Sequence, residues 1–357
     1  MAVRPVLRKR YQTGRLTDTG LSFASIVLAL AASALLFFLL GVPPFRALWL
    51  IFSGALGSWY GVGEVVVKTI PLALCGIAVA LAFRMQVWNI GAEGQIYVGA
   101  LAAAAVVRYC AVDSFPPMLL MMTAGAAFAG GLWGGAAGYL KARWNVNEII
   151  TTLMMNYIAI HLMDYFIYGP WRDPASLGFP MTAPFPPAAR LPMFFDSRVH
   201  LGIILAFIAL IIFRIVLRWT RWGFEIRVIG ENPKAARYAG IPIMRNIILV
   251  LFLSGAIAGI AGMCEVAGLQ GRLQHGFSPG YGYTAIIVAW LGRLNPWGIA
   301  LVAFFMGTLL VGGETLQVLM RLPLASTQVM QGLILFSVLA MEFFRNYKVI
   351  LVRDGGR

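Results

Sequence analysis

Long apolar runs separated by short polar turns repeat along almost the whole chain. Runs of about 20 residues match the length of a helix crossing a hydrocarbon core of roughly 30 Å. The pattern predicts spans near 21–42, 65–84, 94–112, 116–139, 147–167, 199–218, 246–269, 280–292, 296–313 and 326–344. The eighth is short enough to be half a helix. The ten-residue alternating segments of a membrane barrel are not seen. The expected fold class is an all-α polytopic membrane protein with about ten transmembrane helices (range 8–10) and both termini cytoplasmic. Its parts are a basic N-terminus at 1–20, a transmembrane domain at 21–345 and a C-terminal tail at 346–357.

Composition agrees. Of 357 residues 60% are hydrophobic and 12% charged, about half the charge of an average soluble domain. The net charge of +14 reads as topology, because cationic loops stay on the cytoplasmic side; it calls for no nucleic acid. With the N-terminus inside, Arg214, Arg218, Arg221, Arg227, Lys234, Arg237 and Arg245 share one inner segment, and outer segments are poorer in cations. Arg4, Arg8, Lys9, Arg10 and Arg15 precede an apolar run from Leu21 to Val42. A secretory signal core is only about 7–15 residues long, so this run is expected to remain as the first helix. Cys75, Cys110 and Cys264 lie far apart, with neither metal-ligand spacing nor a disulfide framework.

Two connections stand out. The outer one, about 168–198, holds Pro170, Pro174, Pro180, Pro184, Pro186, Pro187 and Pro192. Prolines remove donors and fix φ, which predicts an ordered, non-helical cap; it serves as a connector or as a docking surface. The inner one, about 219–245, contains a short helix signature. Asn232 suits the cap, Pro233 the first position and Gly240 the close, with Pro242 as a stop. A helix of two turns is marginal alone in water, so it is expected to pack on its own domain or on a partner. Gly130, Gly134 and Gly138, and Ser254, Ala258 and Gly262, recur at four-residue spacing, which suits close helix packing in a bilayer.

Catalytic patterns are absent. His161, His200 and His275 stand apart in sequence, and none of the five lysines follows a glycine. A Walker A loop needs Gly-Lys-Ser/Thr, so the chain has no ATPase site of its own. Ionisable residues in spans are costly and suggest function. Glu64 and Lys68 are spaced for a local ion pair. Glu148, beside Asn145 and Asn147, sits where an interface anchor or a subunit contact is expected. Asp164, Glu265 and Glu314 are single and keep an ion-coupled carrier in view. The stretch VWNIGAEGQIYVG at 87–99 carries Asn89, Glu93 and Gln95 among glycines. It reads equally as an inner turn and as a broken, polar part of a translocation path.

Four segments taken together carry a resemblance: RMQVWNIGAEGQIYVGALAAA (84–104), KARWNVNEIITTLMMNYIA (141–159), GENPKAARYAGI (230–241) and WLGRLNPWG (290–298). They resemble permease subunits of ABC importers of the branched-chain amino acid and simple sugar group, and are most similar to the nucleoside type. The likeness covers about 65–345. It implies a bacterial inner-membrane, multi-pass subunit that takes up nucleosides, or else ribose-like sugars or branched-chain amino acids. It implies three partners besides membrane lipid: a second permease in a heterodimer, ATP-binding cassette ATPases, and an extracytoplasmic substrate-binding protein. No cofactor is implied for this chain, and ATP would be used by the partners. By the same likeness Asn89, Glu93 and Gln95 fall near the substrate path. Gly230, Glu231, Asn232, Pro233, Lys234, Ala235, Ala236, Arg237 and Gly240 form the ATPase-coupling segment, with Lys234 where such permeases usually carry glutamate.

Overall fold

A computed structural model of the chain describes residues 3–9, 15–110, 112–194 and 197–353. Parts of the basic N-terminus and of the C-terminal tail (1–2, 10–14 and 354–357) lie outside the described residues. The chain forms two compact units, one of 1–57 with 309–357 and one of 58–308.

In the first unit, α1 (Arg15–Leu39) and α2 (Pro44–Leu56) are joined at Pro43–Pro44. Helix α1 closes on Gly41, at φ +73°, with Val42 N–H donating to the Phe37 carbonyl at 3.0 Å, and Pro44 suits the first turn of the next helix. The segments Val27–Leu39 and Pro44–Leu56 diverge by 114°, where the sequence pattern predicts one span over 21–42. Close packing here needs Gly54 and Gly312, since a methyl group on them would meet Thr315 and Ile51. The terminal segments, expected as plain tails, pair as antiparallel strands β1 (Val3–Lys9) and β2 (Tyr347–Arg353). Helix α13 (Leu324–Asn346) precedes β2.

The second unit holds α3 (Trp59–Arg84), α4 (Ala92–Tyr109), α5 (Phe115–Trp144), α6 (Glu148–Tyr168), α7 (Gly202–Trp219), α8 (Arg221–Glu231), α9 (Pro233–Tyr238), α10 (Ile243–Cys264) and α11 (Tyr281–Leu291). Helix α12 (Pro296–Met320) runs from this unit into the first. Six helices among the described residues are long and apolar enough to span a membrane, or seven if the bent pair counts as one span. Helix α11 has only 11 residues, and α4 is diluted by Glu93 and Gln95.

The core is built on small residues. A methyl group on Gly130 would strike the Gly255 carbonyl, one on Gly259 the Ala126 carbonyl, and one on Gly262 the Ile96 carbonyl. Helices α4, α5 and α10 thus touch backbone to backbone, as the four-residue spacing predicts. Cys75 and Cys264 are free and buried, and Cys110 is free and half-buried.

The proline-rich connection between α6 and α7 is an ordered cap. Thr182 N–H donates to the Leu273 carbonyl at 2.9 Å, Phe185 N–H to Gly271 at 2.8 Å and Leu191 N–H to Ala267 at 3.0 Å. Trp171, Phe185 and Leu191 are buried beneath it.

Candidate functional site

Helix α3 ends at Arg84, and the next seven residues turn back along it. Asn89 is fully buried, and its amide donates to Ser254 Oγ at 2.7 Å. Ser254 Oγ donates to the Ala78 carbonyl at 2.6 Å. Ala78 lies six residues before the end of α3, about 9 Å back at the helical rise. The loop is therefore tied to the bodies of α3 and α10, and α4 starts among buried residues.

The Asn89 and Gln95 amides and the Ile90, Gly91 and Gly94 N–H groups are bonded within the protein. Asn89 and Gln95 exchange amide hydrogen bonds at 3.0 and 3.2 Å, and Gly91 N–H donates to Asn89 Oδ1 at 2.9 Å. Asn156 on α6 accepts from Gly94 N–H at 2.8 Å and donates to the Ile90 carbonyl at 2.9 Å. Thr152 Oγ1 accepts from Ile90 N–H at 3.3 Å. A buried network satisfied to this degree rigidifies its surroundings. Asn89 and Gln95 are thus brought together as a scaffold, and their polar atoms are largely occupied by one another.

Glu93 has a separate task. Its Oε2 accepts from Gly282 N–H at 2.7 Å, in the first turn of α11. A helix start leaves backbone donors without intrahelical partners, and Glu93 supplies an acceptor from another helix. Ser278 Oγ accepts from Gly280 and Tyr281 N–H at 3.3 Å each. A methyl group on Gly282 would strike Glu93 and Ala92 backbone atoms, so the beginnings of α4 and α11 meet inside the bundle. Phe277 stacks beside Tyr97 with ring centroids 4.7 Å apart. Tyr283, 37% exposed, receives a hydrogen bond from Asn156 Nδ2 at 3.3 Å and gives the network an open edge.

Ser254, Asn156, Thr152, Ser278 and Tyr283 complete the site and were not singled out from sequence for it. One signal was present: Glu148, Thr152 and Asn156 form a four-residue polar stripe in an apolar helix, and all three are buried. Ser254 was legible only as a small packing residue.

Glu64 pairs across to Arg198 at 3.1 Å. Glu148 pairs with Lys141 at 3.0 Å. Asp164, expected to be single and inward, binds His275 Nδ1 at 2.8 Å at the edge of the cap. Glu265 is buried in a π-helical turn, Glu265–Gln270, that continues α10. Glu314 lies on an exposed face of α12. His200 accepts from Gly202 N–H at 3.2 Å; burial lowers its pKa to about 4, so the ring is neutral at physiological pH. No group of three or more His, Cys, Asp or Glu among the described residues is arranged to hold a metal ion.

The connection between α7 and α10 contains two helices. Asn232 Oδ1 accepts from Lys234 and Ala235 N–H at 3.0 and 3.1 Å, capping α9 as expected. Gly240 follows with φ of +73°, a left-handed value that suits glycine. Of α9 only Ala236 is buried; Pro233, Lys234, Ala235 and Arg237 are exposed, and Tyr238 is 94% exposed. Gly230 and Glu231, which precede the cap in the same expected segment, end α8. Gly230 packs there against the Arg84 carbonyl. Helix α8 escapes a hydropathy reading because its buried Gly223, Ile226 and Ile229 are interleaved with charges.

The family described as the permease component of branched-chain amino acid transport systems matches residues 61–339. A glucose ABC transporter permease of Haloferax volcanii is 37% identical, over 94% of this chain and 90% of its own length. A guanosine ABC transporter permease of Bacillus subtilis is 36% identical over 91% and 94%. A nucleoside ABC transporter permease of Lactococcus lactis is 31% identical over 81% and 82%. This breadth of match, across the buried polar loop, the short α11 and the capped α9, means that the chain belongs to the branched-chain amino acid transport permease family.

Proposed function

We propose that this chain is the membrane-spanning subunit of an ABC importer for nucleosides, seated in a bacterial inner membrane with both termini cytoplasmic. Ten membrane-crossing elements satisfy that topology if the half-helix α11, the more polar α4 and α13 are counted with the longer spans. The observation that supports this reading is a buried polar loop whose following helix start meets the start of the short α11. Broken helices recur where a bundle opens a solute path.

Asn89, Glu93 and Gln95 hold the wall of this path, and the Asn156–Tyr283 edge is where solute makes contact. The half-exposed Tyr283 ring offers a π-face to a nucleobase, and Asn156 offers an amide to its polar rim. Hexoses are the second reading, favoured by the glucose-named relative at 37% identity.

The exposed face of α9 docks an ATPase subunit, with Lys234, Ala235, Arg237 and Tyr238 outward. In this reading Gly230 and Glu231 join that segment to α3, Pro233 and Ala236 seat it, and Gly240 lets it return to α10. A second, related permease completes the path. A substrate-binding protein delivers solute to the proline-rich cap.

The test is uptake of labelled guanosine in cells expressing the complete transport system, with and without this chain. Guanosine uptake that needs the chain and resists excess glucose, ribose and leucine is expected. Chain-dependent uptake of labelled glucose, blocked by unlabelled glucose and indifferent to guanosine, contradicts the nucleoside reading.

A further inference from the structure

Asn246, in the first turn of α10, is buried, and three elements converge on its side chain. Trp222 Nε1 donates to its Oδ1 at 2.7 Å. Its Nδ2 donates to Glu225 Oε2 at 3.1 Å and to the Pro242 carbonyl at 3.1 Å. Trp222 and Glu225 lie on α8, and Pro242 ends the turn that leaves α9. One amide therefore binds α8, the exit of α9 and the base of α10 together, using both donors and its acceptor. Glu225 is also 3.8 Å from the exposed Arg221 in the same helix.

Helix α10 then carries the contact inward. Eight residues on, about 12 Å at the helical rise, Ser254 bridges Asn89 to the Ala78 carbonyl. Between and beyond them, Leu251, Gly255 and Gly259 pack on α5 without a gap. A rod packed in this way moves as a body or not at all.

We propose that Asn246 is a positioning residue that makes α8, the α9 exit and α10 one rigid body, so that a push on α9 reaches the Asn89 network. The proposal rests on the reading of α9 as the ATPase contact. Energetic coupling between sites is demonstrated only by a measured coupling term, so the test is a rescue.

Asn246→Asp keeps the acceptor for Trp222 but loses the donor to Glu225 and sets two carboxylates against each other. Adding Glu225→Gln restores a donor–acceptor pair of opposite sense. The assembled complex, with its ATPase and binding protein, is reconstituted in proteoliposomes, and ATP hydrolysed per solute imported is measured. Asn246→Asp is expected to raise that ratio about tenfold, and the double variant to return most of it. If Asn246→Asp does not assemble, Trp222→Phe removes only the indole donor, and a several-fold rise is expected. An unchanged ratio in both single variants, or no recovery in the double variant, overturns the proposal.

Asn232→Ala, which removes the acceptor that caps α9, separates the two claims. If it leaves ATPase stimulation and subunit association unchanged, the α9 reading falls. If it impairs them while the Asn246 series stays flat, only the clamp falls.

Discussion

Gly259→Val is expected to prevent assembly of the folded protein. The backbones of α4, α5 and α10 meet at Gly99, Gly130, Gly255, Gly259 and Gly262, and a methyl group on Gly259 would strike the Ala126 carbonyl. The atoms in the way are backbone, so no side-chain rotation relieves the clash. Overpacking of this kind costs about 3 kcal/mol or more, a large share of the stability of an ordinary domain. Helix association in lipid lacks a hydrophobic driving force and depends on such close packing. The measurement is the yield and thermal midpoint of the purified complex in detergent. Gly332→Ala serves as the control, because nothing lies within 4 Å of a methyl group there; it is expected to leave both unchanged. A Gly259→Val protein that melts with the parent contradicts the packing account.

The second large effect is at Glu93, where two substitutions part company. Glu93→Ala removes the acceptor for Gly282 N–H and leaves that donor buried, a cost of about 1–3 kcal/mol. The start of α11 is then free to leave α4, and uptake is expected to fall at least about tenfold. Glu93→Gln keeps an oxygen that accepts the same hydrogen bond, so uptake within a few-fold of the parent is expected. Equal damage from both variants, in complexes that assemble and melt normally, assigns the carboxylate charge to solute recognition instead of helix capping.

Features encoded over a few residues were legible in the sequence. The capped α9, the half-length α11 and the glycine faces each follow from residues within two turns of one another. The depth of the 85–91 loop was not, because it is set by Asn89 reaching Ser254, 165 residues away. Residue types alone place an amide in a surface turn as readily as in a buried network. The same applies to Asp164 and His275, 111 residues apart in sequence yet bonded. Two misses carried a local signal. Pro44 at a helix start marks α2, and Gly223, Ile226 and Ile229 mark the buried stripe of α8. Both helices, of 13 and 11 residues, are too short to stand out as runs of membrane length.

The membrane-embedded polar site and the exposed α9 together make one central claim: solute movement through this chain is driven by ATP hydrolysed on a partner. The direct measurement is solute accumulation in proteoliposomes holding the complete complex, with binding protein on one side and ATP on the other. Accumulation above the external concentration that requires hydrolysable ATP and stops when the ATPase subunits are omitted is the predicted result. Accumulation by this chain without ATPase subunits, driven by a proton or sodium gradient, would contradict it and return Asp164, Glu265 and Glu314 to the centre of the mechanism.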